Sequence, residues 1–251
     1  MAISENRETP LNDQSFMARS DRPFSIESEE SGLSDPIYAR ISQRIRSDIL
    51  KGTLAPGQRL KISDLTRRYG VSQMPVREAL QQLQGEWLVT ISPNRGASVR
   101  KVDVAFINDM YEIRAHLEGL LTRRCAELAT DEEIAHLMWL KEEWEAAAGP
   151  SGGGLNAIMQ ANRNIHQSIY LLARNQVGTE LMDRHFGLLS SLRSIYGLSA
   201  KRIASAADEH RELLEAIRLR DGRRAEEAAR RHCLAAKDDL LARMLAAKTE
   251  A

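Results

Sequence analysis

The chain lacks any long apolar run. Nothing in it approaches the ~20 consecutive apolar residues that cross a bilayer, and its first residues do not have the basic-then-apolar layout of a signal peptide. These absences point to a cytoplasmic protein with no membrane partner. Cysteine is scarce, with only Cys125 and Cys233, far apart and each on an apparent helix. Free buried thiols in a reducing compartment are expected, rather than a disulfide or a redox switch. Internal repeats and sustained heptads are missing. So are H-E-x-x-H, a G-x-S-x-G elbow and a phosphate loop. A di-metal carboxylate enzyme would need Glu-x-x-His pairs on two helices together with bridging glutamates, and the chain does not supply them. A helical-bundle metalloenzyme is therefore a remote alternative.

Net charge is also absent, but only as a sum. Residues 37–101 hold twelve Lys/Arg against four Asp/Glu, a net of +8, while residues 1–36 carry −5 and residues 102–251 carry −3. A basic segment on an acidic remainder fits a DNA-binding module joined to one that does not bind DNA. A length of 251 residues leaves room for two modest domains. Residues 1–34 are rich in Ser, Glu, Asp and Asn and read as a disordered tail.

Within the basic segment, Gly70 to Val89 organises what surrounds it. Gly70 suits a left-handed helix end. Ser72 reads as an N-cap whose hydroxyl takes a free amide, and Pro75 lies in the first turn, where a missing N–H costs little. Val76, Leu80 and Leu83 recur at i, i+4 and i+7, forming one apolar stripe. Residues 62–69 form a second short helix with Leu65 facing inward. Two short helices joined by a glycine turn make a helix-turn-helix, whose second helix enters the major groove by its N-terminal end. An earlier helix, 37–50, has Ile37, Ile41, Ile45 and Ile49 or Leu50 as its inward stripe. Two short strands, 88–91 and 97–99, flank Ser92-Pro-Asn-Arg-Gly96 and form a two-stranded wing.

The combined motifs L-x-P-G-x-x-L (54–60), G-V-S-x-x-P-V-R-E-A-L (70–80), W-L-V (87–89) and P-x-x-G-x-x-V (93–99) resemble the winged helix of the GntR family of bacterial transcription regulators. The resemblance covers roughly residues 37–101. It implies that Gln73 and Arg77 contact double-stranded DNA, with Ser72 and Met74 beside them. It implies secondary contacts from Ser63 and from Arg95 and Gly96 at the wing tip. Arg67 and Arg68 are expected to face phosphate rather than bases, supplying affinity without sequence preference. Arg40, Arg44 and Arg46 on the first helix are equally open to a phosphate or a plain surface role. Two positions depart from the family pattern. Trp87 replaces a frequent Gly, and Gln73 replaces a frequent Arg; Gln suits an adenine edge where Arg suits guanine.

From Val102 onward no strand-like alternation appears. Amphipathic segments at 103–130, 131–148, 157–173, 178–196, 200–220 and 222–247 predict an antiparallel all-α bundle of about six helices. In the first of these, Ile107, Met110, Ile113, Leu117, Leu120 and Leu121 are expected to face inward. His166, His210 and His232, with Asn162 one turn before His166, share the inward faces of three helices. Such a group can be a metal site or simply hydrogen-bonded core. His185 is expected to pack between helices, and His116 and His136 to be surface or satisfied core residues.

Arg114-x-x-x-Glu118, Asn162-x-x-Ile165-His166, Asn175, Glu209-His210 and the stretch from Ala225 to His232 resemble the all-helical FCD effector domain of the FadR subfamily. This second resemblance covers roughly residues 103–242. It implies a divalent metal held by three His, here His166, His210 and His232, and by an Asp, whose position Asn162 occupies. An amide in place of that carboxylate leaves the site one negative charge short, so affinity should drop or a carboxylate effector should supply the oxygen. Three neutral imidazoles favour Zn²⁺ or Ni²⁺ over Ca²⁺ or Mg²⁺. Arg114 and Arg193 are candidate anchors for a carboxylate, and an ordinary ion pair is the plainer reading of each.

The expected protein is mainly α, divided into a tail (1–34), a winged helix-turn-helix (35–102) and an effector-binding and dimerisation bundle (103–247). The expected function is a homodimeric transcription regulator, a repressor rather than an enzyme. It would bind a palindromic operator and respond to a small carboxylate through a divalent metal. A metal-free effector site in the same family is the alternative.

Overall fold

The computed structural model describes residues 35–249, the side chains of His185 and Lys248 excepted. The expected tail at 1–34 lies outside the described residues. From Ile37 on, the chain packs as one compact unit.

Helix α1 (Ile37–Leu50) is followed by strand β1 (Arg59–Leu60), helices α2 (Ile62–Tyr69) and α3 (Gln73–Gly85), and strands β2 (Val89–Ser92) and β3 (Gly96–Val99). Gly70 ends α2 in the left-handed region at φ 68°, its amide bonded to Thr66 O. Val76, Leu80 and Leu83 are buried, as their spacing requires. Ser72 stands at the N-cap of α3 in extended backbone, but its hydroxyl makes no capping bond. Ile37, expected inward, is exposed, while Ile41 and Ile45 are buried.

The wing has three strands rather than two. They are antiparallel in the order β1-β3-β2, with Arg59 opposite Ser98 and Thr90 also opposite Ser98. Two residues are too few to show a period of two, so β1 is invisible to pattern reading. It is recognisable only by its ladder, in which the Val99 amide donates to Gln58 O at 2.9 Å and the Gly57 amide to Val99 O at 2.9 Å.

The bundle consists of α4 (Val104–Leu128), α5 (Asp131–Ala148), α6 (Gly154–Leu172), α7 (Gln176–Tyr196), α8 (Ala200–Arg218) and α9 (Gly222–Thr249). Its helix starts are chemically marked. Asp103 accepts from the Phe106 amide, Asn175 from Gly178 and Ser199 from Arg202. Thr130 and Glu133 form a reciprocal capping box. The Gly-rich stop at 149–154 behaves as expected, except that α6 starts at Gly154, one turn before Ala157. On α4, Ile107, Met110 and Leu121 are buried and Leu117 is partly covered. Ile113 and Leu120, expected inward, are exposed at 61% and 44%. The α4 apolar surface is wider than one bundle seam, and α9 and α6 cover only part of it.

Two apolar clusters divide the interior. The first joins the winged helix to the near end of the bundle, running from Ile45, Leu83 and Val89 through Ile107 to Leu188, Leu192 and Leu240. The second fills the rest of the bundle around Leu121, Leu137, Trp144, Ile165, Ile169 and Leu213. Between the modules, the Arg100 guanidinium lies 5.1 Å from both the Trp87 and Phe106 ring centroids, and its Nε donates to Trp87 O at 2.8 Å. Trp87 itself has φ 65°, a left-handed conformation that costs a non-glycine residue about 1–2 kcal/mol.

Candidate functional site

Helices α6, α8 and α9 each bring one histidine to a common point. The ligand atoms of His166, His210 and His232 lie within 4.8 Å of one another, and all three residues are buried. The 3.6-residue period dictates this arrangement. His210 shares its face with Leu214 and Ile217, and His232 shares its face with Ala225 and Ala229, which are core residues.

Two of the imidazoles are held from behind. His166 Nδ1 is 2.8 Å from Glu118 Oε1, and His232 Nδ1 is 2.8 Å from Glu209 Oε2. An Nδ1–H that donates to a carboxylate leaves Nε2 as a bare acceptor. The two Nε2 atoms then face each other at 3.2 Å. With both rings in that tautomer the two lone pairs meet, an arrangement that a shared cation relieves; a ring protonated on Nε2 would instead donate to the other. His210 has no exposed surface, and neither of its ring nitrogens has a hydrogen-bond partner among the described residues. Buried polar atoms without partners are rare and costly. Burial and the neighbouring His232 and His166 press the His210 pKa well below its ordinary value. Burial, His166 and the Arg202 guanidinium do the same to His232. Imidazoles turned by carboxylates so that their Nε2 atoms face one point are the donor set a divalent metal of intermediate softness requires.

Burial alone would raise the Glu118 carboxyl. The Arg114 guanidinium and the His166 imidazole outweigh it and hold the group far below the usual carboxylate range. Glu118 thus bridges two functions, with Oε2 accepting from Arg114 Nε at 3.2 Å and Oε1 facing His166. Neither Glu118 nor Glu209 is identified as part of the site by sequence reasoning. The available signals were Glu118 four residues after Arg114 and Glu209 adjoining His210. Arg202, missed entirely, is buried and donates to Glu209 Oε2 at 2.8 Å.

A cavity of about 100 Å³ adjoins the histidines, with Arg114, Asn162, His166, Arg202 and His232 among its lining residues. Asn162 is half-buried there, one helical turn before His166. Arg114 Nη1 is buried and has no hydrogen-bond partner among the described residues. Arg193 also lines the cavity, but its guanidinium is engaged. Nη1 donates to Asp239 Oδ2 at 2.6 Å and to Gly197 O, and Nη2 donates to Ala236 O. Arg193 is thus built into an interhelical ion pair, whereas Arg114 keeps a nitrogen unpartnered.

The remaining histidines lie apart. His116 and His136 are exposed, the first with its Nδ1 donating to Glu112 O and the second stacked on Trp139. The side chain of His185 lies outside the described residues.

On the winged helix, Ser63, Ser72, Gln73, Met74, Arg77, Arg95 and Gly96 are all exposed. Met74, at 65%, presents an apolar chain to solvent on the first turn of α3. Gly96 has φ 77° and Asn94 φ 61°, which turn the wing tip sharply. The other basic residues are unequal. Arg46 forms a close bidentate pair with Glu86, and Arg68 binds Asp48 at 2.8 Å. Arg44 lies over the Tyr69 ring, while Arg67 is largely exposed.

Comparison with known proteins places both halves. Residues 37–99 match the model described as bacterial regulatory proteins of the gntR family, and residues 109–235 match the FCD domain. The HTH-type transcriptional repressor GlaR of Escherichia coli K12 is 29% identical over 200 residues, covering 76% of this chain and 89% of GlaR. The HTH-type regulator YdhC of Bacillus subtilis is 26% identical over 80% of this chain and 87% of its own length. Among solved structures, Lar of Listeria monocytogenes superposes with a TM-score of 0.61 at 15% identity, over 82% of this chain and 97% of Lar. McbR of E. coli superposes with 0.56 at 22%, over 86% and 98%. At these identities the structural likeness speaks to the fold alone.

Proposed function

The chain belongs to the GntR family of bacterial regulatory proteins, with an FCD domain following its DNA-binding domain, and on that premise we propose that it is a metabolite-responsive transcription repressor. DNA-binding transcription regulation is common to the family and to the relatives matched, which are regulators rather than enzymes. Repression, the effector and the assembly are our reading. We take 35–102 as the DNA-reading domain, 103–247 as the sensing and dimerising domain, and the cytoplasm as its place of action.

Each subunit of a homodimer would read half of a palindromic operator through α3, since a two-fold protein matches two-fold DNA. Gln73 and Arg77 would meet base edges, with Ser72 and Met74 alongside, and Ser63, Arg95 and Gly96 would position the backbone. In the bundle, His166, His210 and His232 would hold a divalent cation, with Zn²⁺ or Ni²⁺ favoured and Asn162 at the edge of the site. Bound there, the cation would supply a Lewis-acid contact for the carboxylate of a small effector. Arg114 would take that ligand through its unpartnered Nη1. Glu118 would hold Arg114 and His166 together, so ligand and metal would pull on one carboxylate at the centre of α4. The observation that carries this reading is His210, fully buried with neither ring nitrogen partnered among the described residues, beside the Nε2 atoms of His166 and His232, which face each other at 3.2 Å.

Ligand binding would shift α4 against its neighbours and so change the spacing of the two α3 helices. A coupling of about 1–3 kcal/mol suffices for a 5–150-fold response. The test combines elemental analysis of the purified protein with binding to an operator selected from random DNA. The expected result is about one metal per subunit, lost in His210→Ala, and operator affinity lowered by a small carboxylate only when metal is present. A protein that carries no metal yet still responds to a carboxylate would make the histidines direct effector ligands. Operator affinity indifferent to every carboxylate would remove the sensor.

A further inference from the structure

The charges around the bundle cavity balance almost completely, and the balance specifies a ligand. The Arg114 guanidinium is paired with Glu118 at 3.2 Å, Arg193 with Asp239 at 2.6 Å and Arg202 with Glu209 at 2.8 Å. The Arg163 guanidinium, 4.4 Å from the ring centroid of the cavity-lining Phe186, and the Asp183 carboxylate attract each other electrostatically. The three imidazoles of His166, His210 and His232 can ligate a metal only in their neutral form, so they add no charge to a loaded site. Asn162, the half-buried polar side chain one turn before His166, is neutral at every pH. The walls of the cavity therefore sum to zero.

A divalent cation among the three histidines would bring two positive charges into this interior with no protein anion left to answer them. Uncompensated charge in a low-dielectric site is strongly disfavoured. Neutral water leaves both charges unanswered, and a metal-bound hydroxide or a single carboxylate answers only one of them. Resting on the metal-dependent sensor reading above, we propose that the effector is a dianion, a short dicarboxylate, which neutralises the loaded site completely. Arg114 and His166 give such a ligand two ends. Both touch the one carboxylate of Glu118, Arg114 on Oε2 and His166 on Oε1. The guanidinium and the histidine cluster therefore stand about one carboxylate apart, a gap that a few carbons span. One carboxylate of the ligand meets the metal side, and the other meets Arg114 Nη1, which is buried without a partner among the described residues. Asn162 is the residue that sets this preference, because an acidic side chain there would supply one of the two charges itself.

The test is calorimetric titration of the full-length, Zn²⁺-loaded protein with straight-chain dicarboxylates of three to six carbons, each against its own monoamide. At least one dicarboxylate is expected to bind about tenfold or more tighter than its monoamide, the scale of one additional buried charge-assisted contact. Asn162→Asp is expected to collapse that ratio towards one, and the neutral Asn162→Ser to keep it. Circular dichroism melts establish that both variants are folded. Monoamides that bind as tightly as the diacids would overturn the dianion while leaving the carboxylate sensor intact. A ratio unchanged by Asn162→Asp would overturn the role of Asn162 in setting charge. Metal retained but no acid of either kind bound would overturn both the dianion and the sensor beneath it.

Discussion

A buried polar group left without a partner costs about 1–3 kcal/mol, and His210 carries two such nitrogens. A metal bound at one of them would remove part of that cost. His210→Ala should therefore lose bound metal while destabilising the metal-free protein little, as judged by elemental analysis and by urea unfolding in chelator. Equal metal content in the variant would place the site elsewhere. Glu118→Gln acts differently. It keeps the shape but removes the charge that Arg114 faces, leaving a buried guanidinium unpaired at a cost of about 3–5 kcal/mol. It also frees the His166 ring, so metal affinity should fall about 10–100-fold. An unfolding midpoint equal to wild type would show that Glu118 is not the counter-ion. The two thiols are simpler. Cys125 and Cys233 are buried, and burial pushes the Cys125 thiol up to about 12. Neither should react with a disulfide reagent in the native protein, and both should react in denaturant.

At the scale of elements, the connection between β3 and α4 holds a chain-specific device. Trp87 occupies a left-handed backbone position that favours glycine, and its ring and that of Phe106, 6.0 Å apart, both lie 5.1 Å from the Arg100 guanidinium. The strain, about 1–2 kcal/mol, is offset by ring and cation contacts of about 0.5–1 kcal/mol each. Trp87→Gly should thus leave global stability within about 1 kcal/mol of wild type. What should change is amide exchange around the first turn of α4, where protection should fall as the winged helix loosens from the bundle. Unchanged exchange there would mean that the apolar cluster shared by the two modules holds them without the clamp. Recognition by α3 has its own test. Arg77→Ala should weaken operator binding while leaving the oligomer intact, and unaltered affinity would remove Arg77 from the interface.

For the whole molecule, the net of +8 on residues 37–101 against the acidic remainder orients the protein on DNA. Several of those cations are already spent internally, Arg46 on Glu86 and Arg68 on Asp48. The salt dependence of operator binding should therefore report fewer phosphate contacts than the count of basic residues suggests. Assembly should depend on the surface of α4 that the bundle leaves bare. Ile113 and Leu120 lie seven residues apart and exposed on that helix, as a second copy would require. For the proposed homodimer, Ile113→Glu should shift sedimentation towards monomer, and an unshifted dimer would move the interface to another face.

What the sequence determined by itself was everything that depends on local chemistry and spacing. Helix-turn-helix, wing and bundle follow from apolar period, glycine turns and caps. The inward faces of His166, His210 and His232 follow from the same 3.6-residue period that buries Leu214 and Ala229. Tertiary structure alone decided what depends on the approach of distant segments. A two-residue strand such as β1 has no period to read and exists only through its pairing with β3. Ile113 and Leu120 look like core by period, and only the packing of α9 and α6 on α4 shows that they are left outside. Arg114 and Arg193 look alike in sequence. Asp239, 46 residues from Arg193, occupies one guanidinium, whereas Arg114 retains a bare nitrogen, because only the fold brings α7 and α9 together.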